Sequence, residues 1–405
     1  MRERFKLTKY IFILLFICEI LFISGSTDFI LDGLANSDNS VKLYEIGDHI
    51  YSLAISSEGN YIAVGSKDEH VYLFNRTEST PLWTYNAQGE VKSVSMSPDG
   101  QFIVASSENG YIYLFNKNSS IPLWNYYGAT SAEISSNGNY IIARDWNDYT
   151  IYLFNITSNK PLWNYTLTEP FGPIAISSNA DYIFTGGWYS GKAILLEKNS
   201  STPLWIYETG ETIGSISISA DGQYLAAVNW EGDLYFFNKT NNNPLWIYNT
   251  FYDLDHVSIS SDGQYIVAGG DWSNNEVYFF DQASSVPLKN YSTREGIGFI
   301  SITPDAQLIA VESFDNNVYL FNNTSSTPLW TYRIGVGFGP LKISENGQYV
   351  VVGSDGIVRL IPKDYIAPVR ADLTLFVILG IIAFVALAVF FLYLLDYSIF
   401  KHSLK

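Results

Sequence analysis

A pattern of about 41 residues recurs eight times along the 405-residue chain, and this repeat limits the folds that the chain can adopt. Each copy opens with an aliphatic residue and a hydroxyl residue, followed by a polar turn and a long apolar run. The eight copies open at Ile55, Met96, Ile134, Ile176, Ile218, Ile259, Ile302 and Ile343. A unit of this length cannot bury its apolar face alone, so neighbouring copies must stack on one another.

Each copy contains four segments with the length and composition of short strands, here called a to d. Residues 93–97 are typical of strand a, 61–65 of strand b and 71–75 of strand c, and strand d carries Pro-Leu-Trp-x-Tyr, as at Pro81. A unit of this length with four strands indicates the blade of a β-propeller. The sequence therefore predicts an all-β fold, an eight-bladed β-propeller with four-stranded blades over residues 41–362, with seven blades as the alternative.

The distribution of d strands predicts how the ring closes. The eighth copy stops after its c strand at residues 357–361, and the d-strand pattern that it lacks stands at residues 41–46, before the first a strand. We therefore expect the N-terminal strand to complete the last blade. Such closure covers a free sheet edge and joins the two ends of the domain without a disulfide.

Two apolar segments flank the repeats. Residues 373–395 contain no charge, and a helix of this length, at about 1.5 Å per residue, crosses the ~30 Å core of a bilayer. Residues 11–23 follow four basic residues and precede small polar ones, which is typical of a secretory signal, with an uncleaved anchor as the alternative because of Glu19. The expected organisation is a signal peptide or signal anchor at 1–25, the propeller at 41–362, a linker at 363–372, a C-terminal transmembrane helix at 373–395 and a cytoplasmic tail at 396–405.

The charges and glycosylation motifs predict which side of the membrane the propeller occupies. Lys401 and Lys405 follow the apolar segment and should remain inside the cell. The propeller is then expected on the extracytoplasmic side of the plasma membrane, with membrane lipid around the C-terminal helix. Acceptor motifs for N-glycosylation, which favour export and a glycoprotein, begin at Asn75, Asn118, Asn155, Asn164, Asn199, Asn238, Asn290, Asn322 and Asn323.

The composition argues against several kinds of function. The net charge of −17 argues against nucleic acid as a partner, because phosphate recognition requires a cationic surface. One cysteine and four histidines offer little material for zinc sites or thiol catalysis, and no G-x-S-x-G motif is present. We therefore expect no catalytic residues, no metal and no cofactor. Asp253-x-Asp255-His256 is the nearest approach to an acid–base cluster, and such acidic loops are usually just solvated.

Parts of the repeat resemble two known families. Residues 97–107, S-P-D-G-Q-F-I-V-A-S-S, resemble the WD-repeat family, although its Gly-His and Trp-Asp dipeptides are absent. The unit from Leu234 to Trp246 is similar to the pyrroloquinoline-quinone-like repeat, which implies eight blades and tryptophans that dock on the neighbouring blade. Quinoprotein dehydrogenases of that family use a vicinal cysteine pair and a calcium site. The propeller region contains no cysteine pair, so the resemblance implies a fold without quinone chemistry.

The ten tryptophans divide into two sets. Six occupy the d strands, where their burial predicts that they hold blades together. Trp146, Trp188, Trp230 and Trp272 instead recur at intervals of 42 residues, directly after strand b, and Phe314 follows at the same interval. The same position holds Lys67, Glu108 and Asp355 in other copies, so the fold does not require an aromatic residue there.

These five aromatic residues predict a ligand-binding arc, because b–c turns share one face of a propeller. Asp145, Glu231, Asp271 and Glu312 lie beside them, and Arg144 and Glu312 replace the small residue that usually ends strand b. Aromatic faces flanked by carboxylates suit sugars and cationic groups. Packing between blades is the alternative interpretation. The candidate ligand-binding residues are Trp146, Trp188, Trp230, Trp272, Phe314, Asp145, Glu231, Asp271, Glu312 and Arg144.

The leading hypothesis is a membrane-anchored extracytoplasmic β-propeller that acts as a binding or scaffold module. Its expected partner is a surface protein, peptide or glycan on the b–c loop face. A quinoprotein-like oxidoreductase, or another enzyme with its site in the central funnel, is the alternative function. A third possibility is a structural subunit of a larger membrane complex.

Overall fold

The computed structural model describes residues 40–270 and 274–366, apart from the side chain of Phe171. Within these ranges every regular element is a β-strand, and 32 strands form eight antiparallel four-stranded sheets. The expected signal or anchor, transmembrane helix and tail lie outside the described residues. None of the described segments is a helix long and apolar enough to cross a membrane.

The first four blades follow the chain in the order a, b, c, d. Their strands are β2 (Ile50–Ile55), β3 (Tyr61–Ser66), β4 (His70–Asn75) and β5 (Pro81–Asn86); β6 (Val91–Met96), β7 (Phe102–Ser107), β8 (Tyr111–Asn116) and β9 (Trp124–Tyr127); β10 (Ser131–Ile134), β11 (Tyr140–Asp145), β12 (Thr150–Asn155) and β13 (Pro161–Thr166); β14 (Phe171–Ile176), β15 (Tyr182–Gly187), β16 (Lys192–Glu197) and β17 (Ser200–Glu208).

The remaining blades repeat this order, except that the eighth takes its d strand from the N-terminal side. Their strands are β18 (Ile213–Ile218), β19 (Tyr224–Asn229), β20 (Asp233–Asn238) and β21 (Trp246–Asn249); β22 (His256–Ile259), β23 (Tyr265–Gly269), β24 (Glu276–Asp281) and β25 (Lys289–Ser292); β26 (Ile297–Ile302), β27 (Leu308–Ser313), β28 (Asn317–Asn322) and β29 (Trp330–Arg333); β30 (Leu341–Ile343), β31 (Tyr349–Ser354), β32 (Ile357–Pro362) and β1 (Lys42–Glu45).

The ring closes as the sequence predicts, and the count of eight blades is confirmed. Strand β1 pairs antiparallel with β32, from Lys42 opposite Leu360 to Glu45 opposite Ile357. The chain therefore enters and leaves the propeller on the same face, the one that carries the c–d loops. Tyr44 of β1 is fully buried, so the closing strand is part of the core.

The apolar core lies between the blades. Buried side chains form eight clusters, and each cluster draws its residues from two adjacent blades, including the last and the first. This arrangement explains the nearly continuous apolar runs of strands b and c, whose residues are covered on both faces. Each blade needs its neighbours in order to bury its faces, as expected for a repeat array.

The hydroxyl residue that opens each copy has one role in all eight blades. Its side chain is buried after strand a and accepts a hydrogen bond from the first backbone N–H of strand b. The eight acceptors are Ser56, Ser97, Ser135, Ser177, Ser219, Ser260, Thr303 and Ser344. The bond satisfies a donor that the a–b turn would otherwise leave unpaired, which explains why the motif recurs.

The d-strand tryptophans dock on the neighbouring blade, and this prediction is confirmed. Each indole N–H donates to the backbone oxygen of the residue directly after strand c of the next blade, at 2.6 to 3.0 Å. The six donors are Trp83, Trp124, Trp163, Trp205, Trp246 and Trp330. The bond fixes each outer strand against the blade that follows it.

Lysine fills the tryptophan position in the two remaining blades. The ammonium groups of Lys289 and Lys42 donate to the equivalent oxygens, of Asn323 at 2.9 Å and of Arg76 at 2.8 Å. All eight blades therefore keep this hydrogen bond to the next blade, although only six of them use a tryptophan side chain to make it.

Several glycosylation motifs have a structural role of their own. The side-chain oxygens of Asn75, Asn155, Asn238 and Asn322 each accept a hydrogen bond from the backbone N–H two residues on, at 2.9 to 3.1 Å. These Asx turns open the c–d loops and require asparagine or aspartate at that position. The turns therefore account for the asparagine of these motifs without reference to glycans.

Candidate functional site

The aromatic arc is a row of rings on the face formed by the b–c turns and the d–a loops. The ring centroids of Trp146 and Trp188 lie 5.8 Å apart and those of Trp188 and Trp230 lie 5.4 Å apart, both in edge-to-face contact. Trp146 is 39% exposed and Trp230 is 42% exposed. Three successive blades thus present one connected aromatic surface to solvent.

The backbone fixes this row, while the indole N–H groups remain available. The backbone N–H groups of Trp188 and Trp230 donate to the d–a loop oxygens of Pro170 and Thr212, at 3.0 and 3.2 Å. Lys67 makes the same backbone bond in blade 1, to His49. The loop is therefore held whatever the side chain. Within the described ranges, the indole N–H groups of Trp146, Trp188 and Trp230 have no protein acceptor.

The other predicted aromatic residues extend the arc only in part. Trp272 and Asp271 lie outside the described residues. The ring of Phe314 packs edge to face against Phe338, with centroids 5.2 Å apart, and Phe338 is 51% exposed. Sequence reasoning missed Phe338, which lies in a d–a loop rather than at the repeated position. The sequence signal that could have indicated Phe338 is an aromatic residue within a glycine-rich loop, outside any strand pattern.

The predicted carboxylates do not share one environment. Glu231 is exposed beside Trp230, whereas Asp145 is buried and accepts a hydrogen bond from the backbone N–H of Asn147 at 2.8 Å. Glu312 is fully buried, and neither carboxylate oxygen has a hydrogen-bond partner among the described residues. Burial raises the pKa of Glu312 to about 8, and Asp315 adds to the shift. Of these three acids, Glu231 alone faces solvent.

Other polar residues of the b–c turns hold the adjacent c strand. The hydroxyl of Tyr72 donates to Asp68, and that of Tyr319 donates to Asp315. In blade 2 the side-chain amide of Asn109 donates to the hydroxyl of Tyr113 at 2.8 Å. This contact between residues four apart gives the carboxylate or amide of these turns a structural role, which the sequence analysis did not predict.

Arg144 lies at the end of the arc, between blades 3 and 4. Its Nη1 donates to the backbone oxygen of Gly172, its guanidinium lies 5.4 Å from the ring centroid of Trp146, and its Nε has no partner in the described part of the chain. Burial lowers the pKa of Arg144 to about 10, with Glu133 opposing the shift, so the group stays charged at neutral pH. Arg144 and Glu312 belong to opposite blades, 3 and 7, as the repeat predicts.

The b–c face is charged rather than aromatic over blades 1 and 2. The ammonium of Lys92 lies 2.5 Å from a carboxylate oxygen of Glu90 and 3.1 Å from one of Glu108, and 3.6 Å from the ring centroid of Tyr51. Between blades 2 and 3 this cluster borders a cavity of about 510 Å³, whose other side is formed by Arg144 and Trp146.

The wall of the central channel also contains a histidine. The ring of His256 lies 5.6 Å from that of Phe299, and burial lowers its pKa to about 4, although a hydrogen bond to the backbone of Gly298 opposes the shift. The imidazole is therefore neutral at physiological pH. No group of three or more metal-ligating side chains occurs within the described ranges.

Comparisons with known proteins bear on the class. Residues 53–136, from blade 1 to the first strand of blade 3, match the family described as the anaphase-promoting complex subunit 4 WD40 domain. This match and the eight-bladed fold support a WD-repeat β-propeller. Propellers of this class serve in general as scaffolds for protein interaction, which supports protein binding by this chain in general terms.

A solved structure agrees on the fold. The crystal structure of the computationally designed Ika8 protein is 13% identical, with a TM-score of 0.68, and the match covers 78% of this chain and 97% of that one. At this identity the likeness shows the fold alone. No curated protein matches the chain.

Proposed function

We propose that the chain is a membrane-anchored extracytoplasmic propeller that binds a surface glycan, peptide or envelope protein on its b–c face. One observation carries the binding proposal. Trp146, Trp188 and Trp230 form a connected row of partly exposed rings at a position where other blades carry charged residues. Since the backbone bonds of this position do not depend on the ring, the conformation of the loop does not require three tryptophans in succession.

The topology of the ring supports the membrane anchor. The described chain ends at Ile366 on the c–d loop face, and the uncharged segment begins at residue 373. Seven residues span at most about 25 Å when extended. An anchored propeller would therefore hold its c–d face toward the bilayer and its aromatic row away from it, where an external partner has access.

Binding can be tested with the full chain in detergent. A variant with Trp146, Trp188 and Trp230 changed to Ala is compared with the native chain on an array of surface glycans and peptides. The control variant changes Leu123, Leu162 and Leu245 to Ala, because these side chains are exposed in or directly before the outer d strands. We expect the tryptophan variant to lose binding while the leucine variant keeps it, with melting temperatures lowered by only a few degrees.

Two outcomes would contradict the binding proposal. Equal binding by the tryptophan variant would show that the row is not the binding face. A fall of ten degrees or more in its melting temperature would show that the rings contribute to packing, since about 1 kcal/mol moves the midpoint by a few degrees.

The orientation in the membrane needs a separate experiment. Ser326 is exposed in a c–d loop and Ser403 lies in the expected tail. After Cys18 is changed to Ser, a cysteine is introduced at one position or the other, and intact cells are treated with a thiol reagent that does not cross membranes. We expect labelling at position 326 and none at position 403. The reverse pattern would contradict the proposed orientation.

A further inference from the structure

The cavity between blades 2 and 3 is lined by a partly buried cation, by a salt-bridged pair and by hydroxyl and amide residues. Its volume is about 510 Å³, and Arg144 and Trp146 form one side, opposite Lys92 and Glu108. Ser107, Thr130, Ser131 and Asn147 also line it, and the hydroxyls of Ser107 and Thr130 donate to the backbone oxygens of Gly89 and Arg144. The cavity lies at the end of the tryptophan row, so a ligand on the row can reach it.

The two cations of this cavity differ in how they are neutralised. Lys92 is paired with Glu90 and Glu108 on the opposite side of the cavity. Arg144 forms no salt bridge to any described carboxylate, and within the described ranges its guanidinium donates one hydrogen bond, to the backbone oxygen of Gly172.

The acid that acts on Arg144 is itself a poor counter-ion. Burial raises the pKa of Glu133, although Lys342 and Arg144 oppose the shift. A partly buried guanidinium without a salt-bridge partner is costly, and a bound anion would offset that cost.

We propose that this cavity binds the carboxylate of an acidic sugar, a uronic acid of a surface polysaccharide, as the specificity subsite of the tryptophan row. The inference rests on the proposed function, because it assigns the ligand of the same face. The planar guanidinium can donate to a carboxylate through two N–H groups. The exposed ring of Trp146 lies beside it, where the C–H face of the sugar can stack, and Ser131 and Asn147 supply polar groups for the sugar hydroxyls.

An acidic peptide fits these features less well. Glutamate and aspartate carry their charge on a flexible stem and present no flat apolar face to a ring. A polysaccharide repeats both a flat face and a carboxylate, and the rings of Trp146, Trp188 and Trp230 are likewise repeated along the face. The chain carries a net charge of −17, so an acidic partner is repelled at long range and must be selected by close contacts.

The test measures calorimetric binding of a galacturonate hexamer to the full chain in detergent. The matched probe is the methyl-esterified hexamer, which keeps the ring and loses the charge. We expect the ester to bind about tenfold more weakly, which corresponds to one charge-assisted hydrogen-bonded pair. Arg144→Gln should lower the affinity for the acid to that of the ester and leave the ester within about twofold. Lys67→Gln, which removes a cation from the same face in blade 1, should change neither.

The possible results separate this inference from the proposed function. If acid and ester bind equally and both are lost in Trp188→Ala, the binding face stands and the carboxylate subsite is wrong. Failure of both hexamers to bind overturns the uronate assignment, while the array still tests the face. Binding of an acidic peptide through Arg144, without binding of the uronate, also overturns it. If Arg144→Gln does not fold, two other measurements decide. One is the ratio of the affinities of the native chain for the acid and for the ester. The other is the affinity of Arg144→Lys for the acid, which is expected to lie between those two affinities.

Discussion

The tryptophans of the d strands and those of the b–c turns belong to the same repeat, yet they lie in opposite environments. Each d-strand indole donates its N–H to the next blade, as Trp163 does to Lys198 at 2.6 Å. The indoles of the b–c row touch one another and have no protein acceptor within the described residues. Regular spacing alone therefore does not separate the two sets of tryptophans, whereas the satisfied N–H of the d-strand set does.

The two blades with lysine at the tryptophan position show which part of the tryptophan the fold requires. Lys42 and Lys289 replace the indole but keep its hydrogen bond, and the tyrosines two residues on, Tyr44 and Tyr291, become fully buried. The tyrosine hydroxyls donate to nearby backbone oxygens at 3.4 and 3.2 Å. The fold therefore requires a hydrogen-bond donor at this position, while the apolar volume of the missing indole can be supplied by the tyrosine two residues on.

The largest expected effect is the loss of a docking ring. Trp330 is 5% exposed, joins blade 7 to Lys363 after blade 8 and packs against Tyr365. Trp330→Ala should lower the free energy of unfolding by about 3–5 kcal/mol, measured by urea denaturation. Trp330→Phe keeps most of the ring and should lose less. If Trp330→Ala unfolds at the native urea midpoint, the interpretation of these rings as docking groups is wrong.

The second effect concerns acids on the same face. Glu312 prefers its protonated form because its pKa is raised to about 8 in the folded chain, from about 4.5 when unfolded. Its contribution is complete below pH 4.5 and is lost as the pH rises to 8, so Glu312→Gln should become more stable than the native chain by about 4 kcal/mol at pH 8. Urea denaturation at pH 5 and pH 8 measures this difference. Glu231→Gln, at an exposed position of the same face, is the control for the removal of a carboxylate.

The third effect isolates the docking hydrogen bond from the ring. Lys289→Met keeps the length of the side chain and removes its donors, leaving the backbone oxygen of Asn323 without this bond. Stability should fall by about 1 kcal/mol, the net value of one such bond. Lys239→Met is a suitable control, because its ammonium bonds to the hydroxyl of Tyr182 rather than to a docking oxygen. Equal losses in the two variants would contradict a special role for the docking position.

The repeated features of the chain could be predicted from the sequence, and the structure explains why the features that occur only once could not. The Ile-Ser opening, the d-strand tryptophans and the N-terminal closing strand each recur or complete a series, so spacing alone located them. The burial of Glu312 depends on the lack of a side chain at Gly298, which leaves room for the carboxylate. The contact of Phe314 with Phe338 depends on a d–a loop residue that lies outside the repeated positions. Such single contacts between blades leave no period in the sequence.

The last effect on stability, similar in size to that of Lys289→Met, is expected at the row formed by Trp146, Trp188 and Trp230. Trp146 is partly exposed and contacts Trp188 on one side, so Trp146→Ala removes one aromatic pair and should cost about 1 kcal/mol. Urea denaturation of this variant beside Trp330→Ala gives the ratio of the two losses. Ligand binding should follow the opposite order, with Trp146→Ala impaired and Trp330→Phe, if folded, unchanged. A loss of 3 kcal/mol or more at Trp146 would place both sets of tryptophans in the core and remove the basis for a binding face.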